Sequence, residues 1–314
     1  MRILLTGSSG WLGRFLAPRL KARGDTVTGL DVAPGPDTDV IGSVADRALI
    51  DRVFAEHGIE AVIHGGALHK PDIARYPRQA FIDVNVTGTL NLLEAAVRAG
   101  HDRVVFTSTT SLMISQAIRE EAGETAVWLD ETAGPLQPRN VYGATKLAAE
   151  GLCRLFHLEH GLKVAVLRTA RFFPEEDDTL DHLPGENLKA NEFLNRRLTV
   201  EDAAEAHVAA LDRATGFEVF VVSAPTPFAR FEAGELKSDA AAVIARHFPK
   251  AEELYAARGW QLPRSIGRVY DASRMERILG FRCRTDFAAV LQALEEGGEM
   301  PFHHDPAYVS PKEI

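Results

Sequence analysis

Three glycines, Gly7, Gly10 and Gly13, follow the short apolar run 2–6 and open the stretch that begins at Leu12. A glycine-rich turn between a buried strand and a helix constrains the fold strongly, because dinucleotide-binding sheets begin this way. The helix N-terminus offers free N–H groups and a partial positive charge to a pyrophosphate. Taken alone, the spacing also fits a glycine turn that binds nothing, so the rest of the chain has to decide.

Short apolar runs alternate with longer helical stretches through the first two thirds of the chain. Their continuous apolar character predicts strands covered on both faces, and glycines just past the helical stretches favour helix ends there. Repeated strand–helix–strand units predict an α/β fold, a doubly wound parallel sheet of the Rossmann type. The predicted strands are 2–6, 26–31, 61–65, 103–108, 163–169 and 218–223, and the predicted helices are 12–23, 81–99, 141–160 and 200–214.

The second strand ends in Asp31, which follows Gly13 by 18 residues. A carboxylate at that point accepts hydrogen bonds from both adenosine ribose hydroxyls and repels a 2′-phosphate. NAD is therefore favoured over NADP, although a turn-initiating aspartate is the alternative. We assign residues 1–170 and 201–223 to an NAD-binding domain, and residues 171–200 and 224–314 to a smaller C-terminal substrate-binding lobe. Segment 170–197 predicts a loop with a short helix, either functional or a solvated surface excursion.

Two further patterns indicate redox chemistry. Tyr142 and Lys146 share one face of a predicted helix, where a nearby ammonium would lower the tyrosine pKa and let the phenol act as acid or base. Strand 103–108 ends in a run of serines and threonines, 107–111, at the strand end where ligands of parallel sheets bind. An amphipathic surface helix and a Ser/Thr-rich turn are the alternatives for these two patterns.

Together these motifs, with VIHGGA (62–67) and NVTGTLNLLEAA (85–96), resemble the extended short-chain dehydrogenase/reductase superfamily. Within it the chain is similar to the NAD-dependent epimerase/dehydratase family, over roughly residues 1–215. The resemblance implies a small-molecule substrate and a homodimer. It implies catalytic roles for Thr109, Tyr142 and Lys146, with Ser111 as the fallback for Thr109. It also implies cofactor contacts from Gly7, Ser9, Gly10, Trp11, Leu12, Gly13, Asp31, Ser43, Val44, Gly65, Gly66, Ala67, Asn85, Thr107, Tyr142 and Lys146.

Several positions depart from that family. Ser43 stands where an aspartate usually meets adenine, and Thr110-Ser111 stand where dehydratases carry Asp-Glu, which argues against dehydration. The segment between Thr169 and Val200 is short, which favours a substrate smaller than a nucleotide sugar. Arg171 replaces the usual asparagine, and its planar head suits a carboxylate or phosphate. We predict substrate contacts from His69, Ser111, Arg171 and Asn187; a surface ion pair of Arg171 with Glu175 or Glu176 is the alternative.

Composition excludes several other classes. The formal net charge of −9 argues against a nucleic-acid binder, and no long apolar run predicts a membrane span. Two cysteines form neither a disulfide framework nor a metal motif, which is typical of a reducing, cytoplasmic setting. The adjacent His303 and His304 predict a surface tail rather than a metal site.

The sequence therefore predicts an NAD-dependent oxidoreductase that transfers hydride between nicotinamide and a hydroxyl or keto group of a sugar, sugar acid or related small molecule. Two alternatives remain open. One is an epimerase of sugars or nucleotide sugars that keeps its cofactor tightly bound. The other is a non-catalytic NAD sensor, against which the intact Tyr142 and Lys146 pair argues.

Overall fold

A computed structural model describes residues 1–101, 103–176 and 182–311. Part of the predicted loop, 177–181, lies outside the described residues. The strands are β1 (Arg2–Thr6), β2 (Thr26–Asp31), β3 (Val40–Ile41), β4 (Ala61–His64), β5 (Arg103–Thr109), β6 (Val127–Leu129), β7 (Lys163–Thr169), β8 (Phe217–Val222) and β9 (Arg268–Tyr270).

The main sheet of the described chain has seven strands in the order β3-β2-β1-β4-β5-β7-β8. Each recorded strand pair in it is parallel, including β1 with β4 and β7 with β8. This is the predicted Rossmann-type topology, with the strand order reversing beside β1. Because the sheet is parallel, all of its carboxyl ends meet at one edge, where ligands bind in such folds.

The helices are α1 (Trp11–Ala22), α2 (Arg47–His57), α3 (Arg78–Phe81), α4 (Gly88–Arg98), α5 (Gln116–Arg119), α6 (Val141–His160), α7 (Gly185–Glu192), α8 (Val200–Arg213), α9 (Ala233–Ser238), α10 (Ala240–His247), α11 (Ala251–Ala257), α12 (Ser273–Leu279) and α13 (Phe287–Glu296). Helix α6 has the predicted bounds. Among the described residues, no helix is both long and apolar enough to cross a membrane.

The prediction of one continuous α-helix over residues 81–99 is wrong. A π-helical turn, Ile82–Thr87, separates α3 from α4. Such turns occur at functional sites more often than elsewhere in helices. Asn85 lies in this turn with 1% of its surface exposed.

Two apolar layers cover the faces of the main sheet. Strand β1 alternates between them: Ile3 and Leu5 belong to the layer with α1 and α8, and Leu4 belongs to the layer with α2, α4 and α6. This is the period of two that a strand buried on both faces requires. The packing fixes the strand ends, and with them the loops that follow.

A second, two-stranded parallel sheet pairs β6 with β9. Its neighbours form a separate apolar core with α7, α9, α10, α11 and α13. The sequence did not predict β6, because its partner lies far along the chain and no local pattern records the pairing. Val127 pairs with Arg268 and Leu129 with Tyr270, which brings β9 beside the chain that leads from β5 to α6.

Candidate functional site

The glycine loop joins β1 to α1 and leaves no room for side chains at two positions. Gly7 has φ of +77°, and a Cβ there would lie 2.8 Å from the Gly66 backbone nitrogen. At Gly13 a Cβ would lie 2.2 Å from the Gly7 carbonyl oxygen. The turn is closed by a hydrogen bond from Gly10 N–H to the Gly7 carbonyl, 3.1 Å long. Both positions therefore require glycine for close backbone packing.

A cavity of about 370 Å³ lies along this loop and the carboxyl ends of β1, β2 and β4. It brings together most of the predicted cofactor contacts. These are Gly7, Gly10, Trp11, Leu12, Gly13, Asp31, Ser43, Val44, Gly65, Gly66, Ala67 and Thr107. We call it the dinucleotide cleft.

Asp31 stands at the cleft with its carboxylate fixed by the backbone. Its Oδ2 accepts from the Ser9 N–H at 3.1 Å, and its Oδ1 accepts from the Ala33 N–H at 3.2 Å. Each oxygen keeps a further acceptor position for hydroxyl donors. Arg14, near by, is held by donating from Nε to the Ser9 carbonyl at 2.9 Å. The carboxylate is thus the acceptor that ribose hydroxyls require.

A chain of hydrogen bonds supports the wall formed by residues 65–68. Thr89 Oγ1 donates to the Asn85 carbonyl at 2.7 Å, so the bond between Thr89 and His64 Nε2, 3.1 Å, takes its proton from histidine. His64 Nδ1 is then an acceptor and receives the Thr6 hydroxyl at 2.7 Å. Thr6 Oγ1 in turn accepts the Gly66 N–H at 3.1 Å.

This chain needs a neutral His64. Burial, and to a smaller extent the positive charge of Lys146, lower the His64 pKa to about 3. His207 holds Thr107 in a similar way: its Nδ1 bonds the Ala203 carbonyl at 2.7 Å, which leaves Nε2 to accept the Thr107 hydroxyl at 2.8 Å. Burial lowers the His207 pKa to about 4. Two neutral histidines thus fix two strand ends at the cleft.

Two predicted cofactor residues lie behind the cleft wall instead of lining it. The Asn85 side chain accepts the Leu68 N–H at 2.9 Å and donates to the Leu68 carbonyl at 3.0 Å and to Thr145. The fully buried Ser9 uses its hydroxyl on the Ala33 carbonyl at 2.8 Å. Both side chains are used up by the protein, so they position the backbone that lines the cleft.

A second cavity, of about 500 Å³, shares His69, Thr107, Phe172 and Phe173 with the dinucleotide cleft. We call it the reaction pocket. It brings together the three predicted catalytic residues, Thr109, Tyr142 and Lys146, and also Ser111 and Arg171. The strand end of β5 and the first turns of α6 therefore meet there, as the two motifs predict.

Thr109 and Lys146 are held in place by polar contacts. Thr109 lines the same pocket as Tyr142, and its Oγ1 accepts the Ser111 N–H at 3.1 Å. Lys146 Nζ donates to the Thr107 carbonyl at 2.7 Å and lies 4.6 Å from the centre of the Phe106 ring. An acid/base hydroxyl and a second hydroxyl thus face the same pocket.

The predicted lowering of the Tyr142 pKa is wrong in this structure. Burial raises the Tyr142 pKa to about 12; the Thr109 hydrogen bond lowers it, and the negative charge of Asp72 raises it. Loss of solvation outweighs the hydrogen bond, because the phenolate is poorly solvated between α6 and β5. The neutral phenol is therefore the dominant form near neutral pH.

The four predicted substrate residues do not all meet. The His69 ring lies 5.8 Å from the Tyr142 ring, and Ser111 lines the reaction pocket. Arg171 also lines the pocket and forms an ion pair with Glu192 at 3.3 Å. Asn187 is misplaced by the prediction: it is fully buried and bonds the Gln261 carbonyl and N–H at 3.1 and 2.9 Å. Its amide holds two segments of the smaller lobe together.

Sequence reasoning missed several pocket residues. The reaction pocket is also lined by Arg119, Arg139, Arg196 and Arg268, from four separate segments. Arg268 is the first residue of β9, a strand that the sequence did not predict. The others carry no local motif, since only the tertiary fold brings them together.

The C-terminal segment was also missed as part of the site. Ser310 and Pro311 line the dinucleotide cleft. The rings of His303 and Tyr308 pack on Trp11, with centroids 5.2 and 5.1 Å away. His303 also forms an ion pair with Glu201 at 2.7 Å. The tail predicted from the paired histidines therefore crosses the start of α1 beside the cleft.

Comparison with known proteins agrees with this architecture. A family model described as NAD dependent epimerase/dehydratase family matches residues 3–190. UDP-glucose 4-epimerase of Azospirillum brasilense is 32% identical over 179 residues, which cover 53% of this chain and 48% of that enzyme. Uronate dehydrogenase of Pseudomonas putida is 26% identical over 180 residues, 55% of this chain and 62% of the enzyme. The chain thus spans about half the length of the first of these curated relatives.

One relative matches over nearly the full length. dTDP-glucose 4,6-dehydratase of Streptomyces niveus is 30% identical over 322 aligned positions, 92% of this chain and 90% of that enzyme. Among solved structures, UDP-glucose 4-epimerase of Thermotoga maritima with UDP-glucose superposes with a TM-score of 0.66 at 20% identity, over 95% of this chain and 99% of that one. At that identity the likeness concerns the fold, including its C-terminal lobe.

Proposed function

Because the chain belongs to the NAD-dependent epimerase/dehydratase family, we propose that it transfers hydride between NAD and a hydroxyl or keto group of a sugar, sugar acid or related small molecule. One observation carries the proposal. Tyr142 and Thr109 line one pocket, and that pocket shares wall residues with the dinucleotide cleft. Cofactor and substrate can therefore meet at one acid/base group.

The residues of the dinucleotide cleft fit NAD. The loop at Gly7 to Gly13 presents backbone N–H groups at the start of α1, as a pyrophosphate requires. Asp31 offers acceptor oxygens to the adenosine ribose, and Ser43 and Val44 line the wall proposed for adenine. A fixed carboxylate at position 31 disfavours the 2′-phosphate of NADP. When bound, the nicotinamide supplies the hydride acceptor or donor.

The chain's own residues then handle the proton. In the oxidation direction, Tyr142 accepts the proton of the substrate hydroxyl as the carbon loses its hydride, and in reduction the phenol returns it. Thr109 orients the substrate oxygen by hydrogen bonding. Lys146, anchored on the Thr107 carbonyl, places a positive charge beside the developing phenolate. In this proposal, the raised Tyr142 pKa keeps the phenol protonated, which is the form that reduction requires.

An epimerase is the second candidate, and the C-terminal segment favours it. Ser310 and Pro311 at the cleft, with Tyr308 on Trp11, would slow release of a bound dinucleotide. An enzyme that oxidises and re-reduces one substrate needs such retention. Dehydration has less support, because Thr110 and Ser111 supply no carboxylate, and the Thr110 hydroxyl is directed at the Thr169 carbonyl at 3.4 Å.

We also propose a homodimer formed through α6 and the Phe81 segment. Leu155, Leu158 and Ile82 on these helices are 43%, 70% and 42% exposed. Exposed apolar residues grouped on helices mark association sites. Light scattering would show a dimer that Leu158→Glu converts to a monomer; a wild-type monomer would contradict the proposal. A cytoplasmic location stays a prediction from cysteine content.

A screen of sugars, sugar acids and nucleotide sugars with NAD, followed by NADH absorbance, tests the function. Net NADH with one of these substrates supports the dehydrogenase. Conversion of substrate without net NADH, by protein that retains NAD after purification, supports the epimerase. NAD binding without conversion of any substrate would favour a non-catalytic NAD sensor and would overturn the proposed activity.

A further inference from the structure

The reaction pocket carries more positive charge than its own carboxylates balance. Five arginines line it, together with Lys70 and Lys146, against Glu175 and Glu176. Two of the arginines, Arg171 and Arg196, pair with the buried Glu192 at 3.3 and 3.1 Å. The other three, Arg119, Arg139 and Arg268, are called here the arginine triad.

Arg268 is the unusual member. It is 9% exposed, and its Nε is buried without a hydrogen-bond partner among the described residues. Within the same part of the chain, its guanidinium forms no recorded ion pair either. A buried arginine costs several kcal/mol unless an anion compensates it. The chain therefore maintains an expensive, uncompensated charge that faces a cavity.

The other two members reinforce that charge. Arg139 donates from Nε to the Ile114 carbonyl at 3.1 Å, and no carboxylate pairs with Arg119 or Arg139 among the described residues. Burial lowers the Arg139 pKa, and the charges of Arg119 and Arg268 lower it further. The three groups therefore repel one another, and a shared anion would relieve that repulsion.

We propose that the arginine triad binds a carboxylate or phosphate group of the substrate, in the same cavity as Tyr142 and Thr109. Arg171 was the predicted anion ligand, yet Glu192 occupies it, so the charge available to a ligand lies on the triad. The planar guanidinium of Arg268 suits the paired oxygens of either group. The inference rests on the proposed function, hydride transfer at a substrate hydroxyl or keto group. It adds that the preferred substrates also carry a carboxylate or a phosphate.

Matched substrates and variants test the triad. Arg268→Met keeps the aliphatic stem and removes the charge, and Arg268→Lys restores the charge without the fork. For a hexuronate and a hexose phosphate, we expect Arg268→Met to raise KM about 10- to 100-fold with a smaller change in kcat. KM for the neutral parent hexose should stay unchanged. Arg52→Met, on the exposed face of α2, is the matched control.

Arg139→Met is the second variant, because it lies on an exposed loop and leaves β9 intact if Arg268→Met fails to fold. The same KM pattern, of smaller size, supports the triad. The substrate whose KM rises more in the variants, hexuronate or hexose phosphate, shows whether the pocket binds a carboxylate or a phosphate. Equal KM for charged and neutral sugars in wild type, or no change in either variant, would overturn the proposal.

A binding measurement separates this proposal from the redox function. Thermal unfolding is followed with inorganic phosphate and with hexuronate, in the absence of NAD. If these anions stabilise wild type and Arg52→Met but not Arg268→Met, the result supports the triad as an anion-binding subsite, even if no substrate yields NADH. Oxidation of neutral sugars without any anion effect on unfolding would keep the function and reject the subsite.

Discussion

The dinucleotide cleft and the reaction pocket share a wall but are built in different ways. The cleft is formed by successive turns at the ends of β1, β2 and β4, and most of its lining residues are glycine or apolar. Hydrogen bonds from Gly66 through His64 to Asn85 pair the polar groups behind one of its walls. The pocket draws charged side chains from distant segments and leaves the Arg268 Nε unpaired among the described residues.

This difference teaches where each kind of specificity resides. A pyrophosphate is recognised by backbone geometry, which short local motifs encode. A substrate is recognised by side-chain charge, which only the tertiary fold assembles. Perturbing the cleft should therefore change cofactor affinity and stability together, whereas perturbing the pocket should change catalysis or KM alone.

The largest effect is expected in the cleft, at Gly13→Ala. The new Cβ would lie 2.2 Å from the Gly7 carbonyl, so the loop has to move. We expect NAD affinity, measured by calorimetry, to fall about 100-fold, and the free energy of unfolding to fall by about 1–3 kcal/mol. Gly151→Ala, on α6 with open space around it, is the matched control and should stabilise slightly. An unchanged NAD affinity in Gly13→Ala would contradict the proposed difference between the cleft, where backbone geometry binds the cofactor, and the pocket, where side chains bind the substrate.

The neutral histidines predict a loss of stability in acid. His207 is neutral when folded, with a pKa of about 4, whereas the unfolded chain binds a proton near its ordinary pKa of about 6.5. Its contribution is complete above that value and falls as pH drops toward about 4. Between about pH 6.5 and pH 5 we expect a loss of about 2 kcal/mol.

Urea unfolding of wild type and His207→Asn across that range provides the check. The variant should show a shallower pH dependence, because the titrating group is gone. His64 adds a similar term, which continues toward about pH 3. A variant with the full wild-type slope would show that His207 does not carry the effect.

Tyr142 predicts a pH dependence confined to the reaction pocket. Since burial raises its pKa to about 12, the phenolate fraction at neutral pH is small and grows with pH. Because that fraction grows tenfold per pH unit below the pKa, we expect kcat for substrate oxidation to rise about 100-fold from about pH 7 to pH 9, while the NAD dissociation constant stays constant. Parallel rate and binding titrations measure both. A flat oxidation rate would contradict the role of the phenol.

The smallest effect is expected from the C-terminal segment. Deleting residues 303–314 uncovers Trp11 and removes Ser310 and Pro311 from the cleft. We expect NAD to dissociate several-fold faster, with the sheet still folded, by stopped-flow fluorescence of bound NADH. Truncation of residues 312–314 alone is the control. An unchanged dissociation rate would confine the segment to a structural role.

The sequence predicted most of the cleft lining and the catalytic residues of the pocket, but it missed the C-terminal segment at the cleft and every pocket arginine except Arg171. Gly7 to Gly13 and Asp31 are encoded locally, and α6 has the predicted bounds. Asn85 was rightly noticed, but it holds Leu68 instead of lining the cleft. Arg268 and β6 could not be predicted, because nearly half of the chain separates β6 from its partner β9. The Tyr142 pKa depends on burial that no motif records.

The most direct test compares wild type and Tyr142→Phe on the best substrate of the screen, with NAD affinity measured in parallel. The variant keeps the ring and its packing and removes only the hydroxyl. The account predicts that NADH formation, or epimerisation if that is the reaction, falls about 100-fold or more while NAD binds as before. Turnover at the wild-type rate by Tyr142→Phe would contradict it.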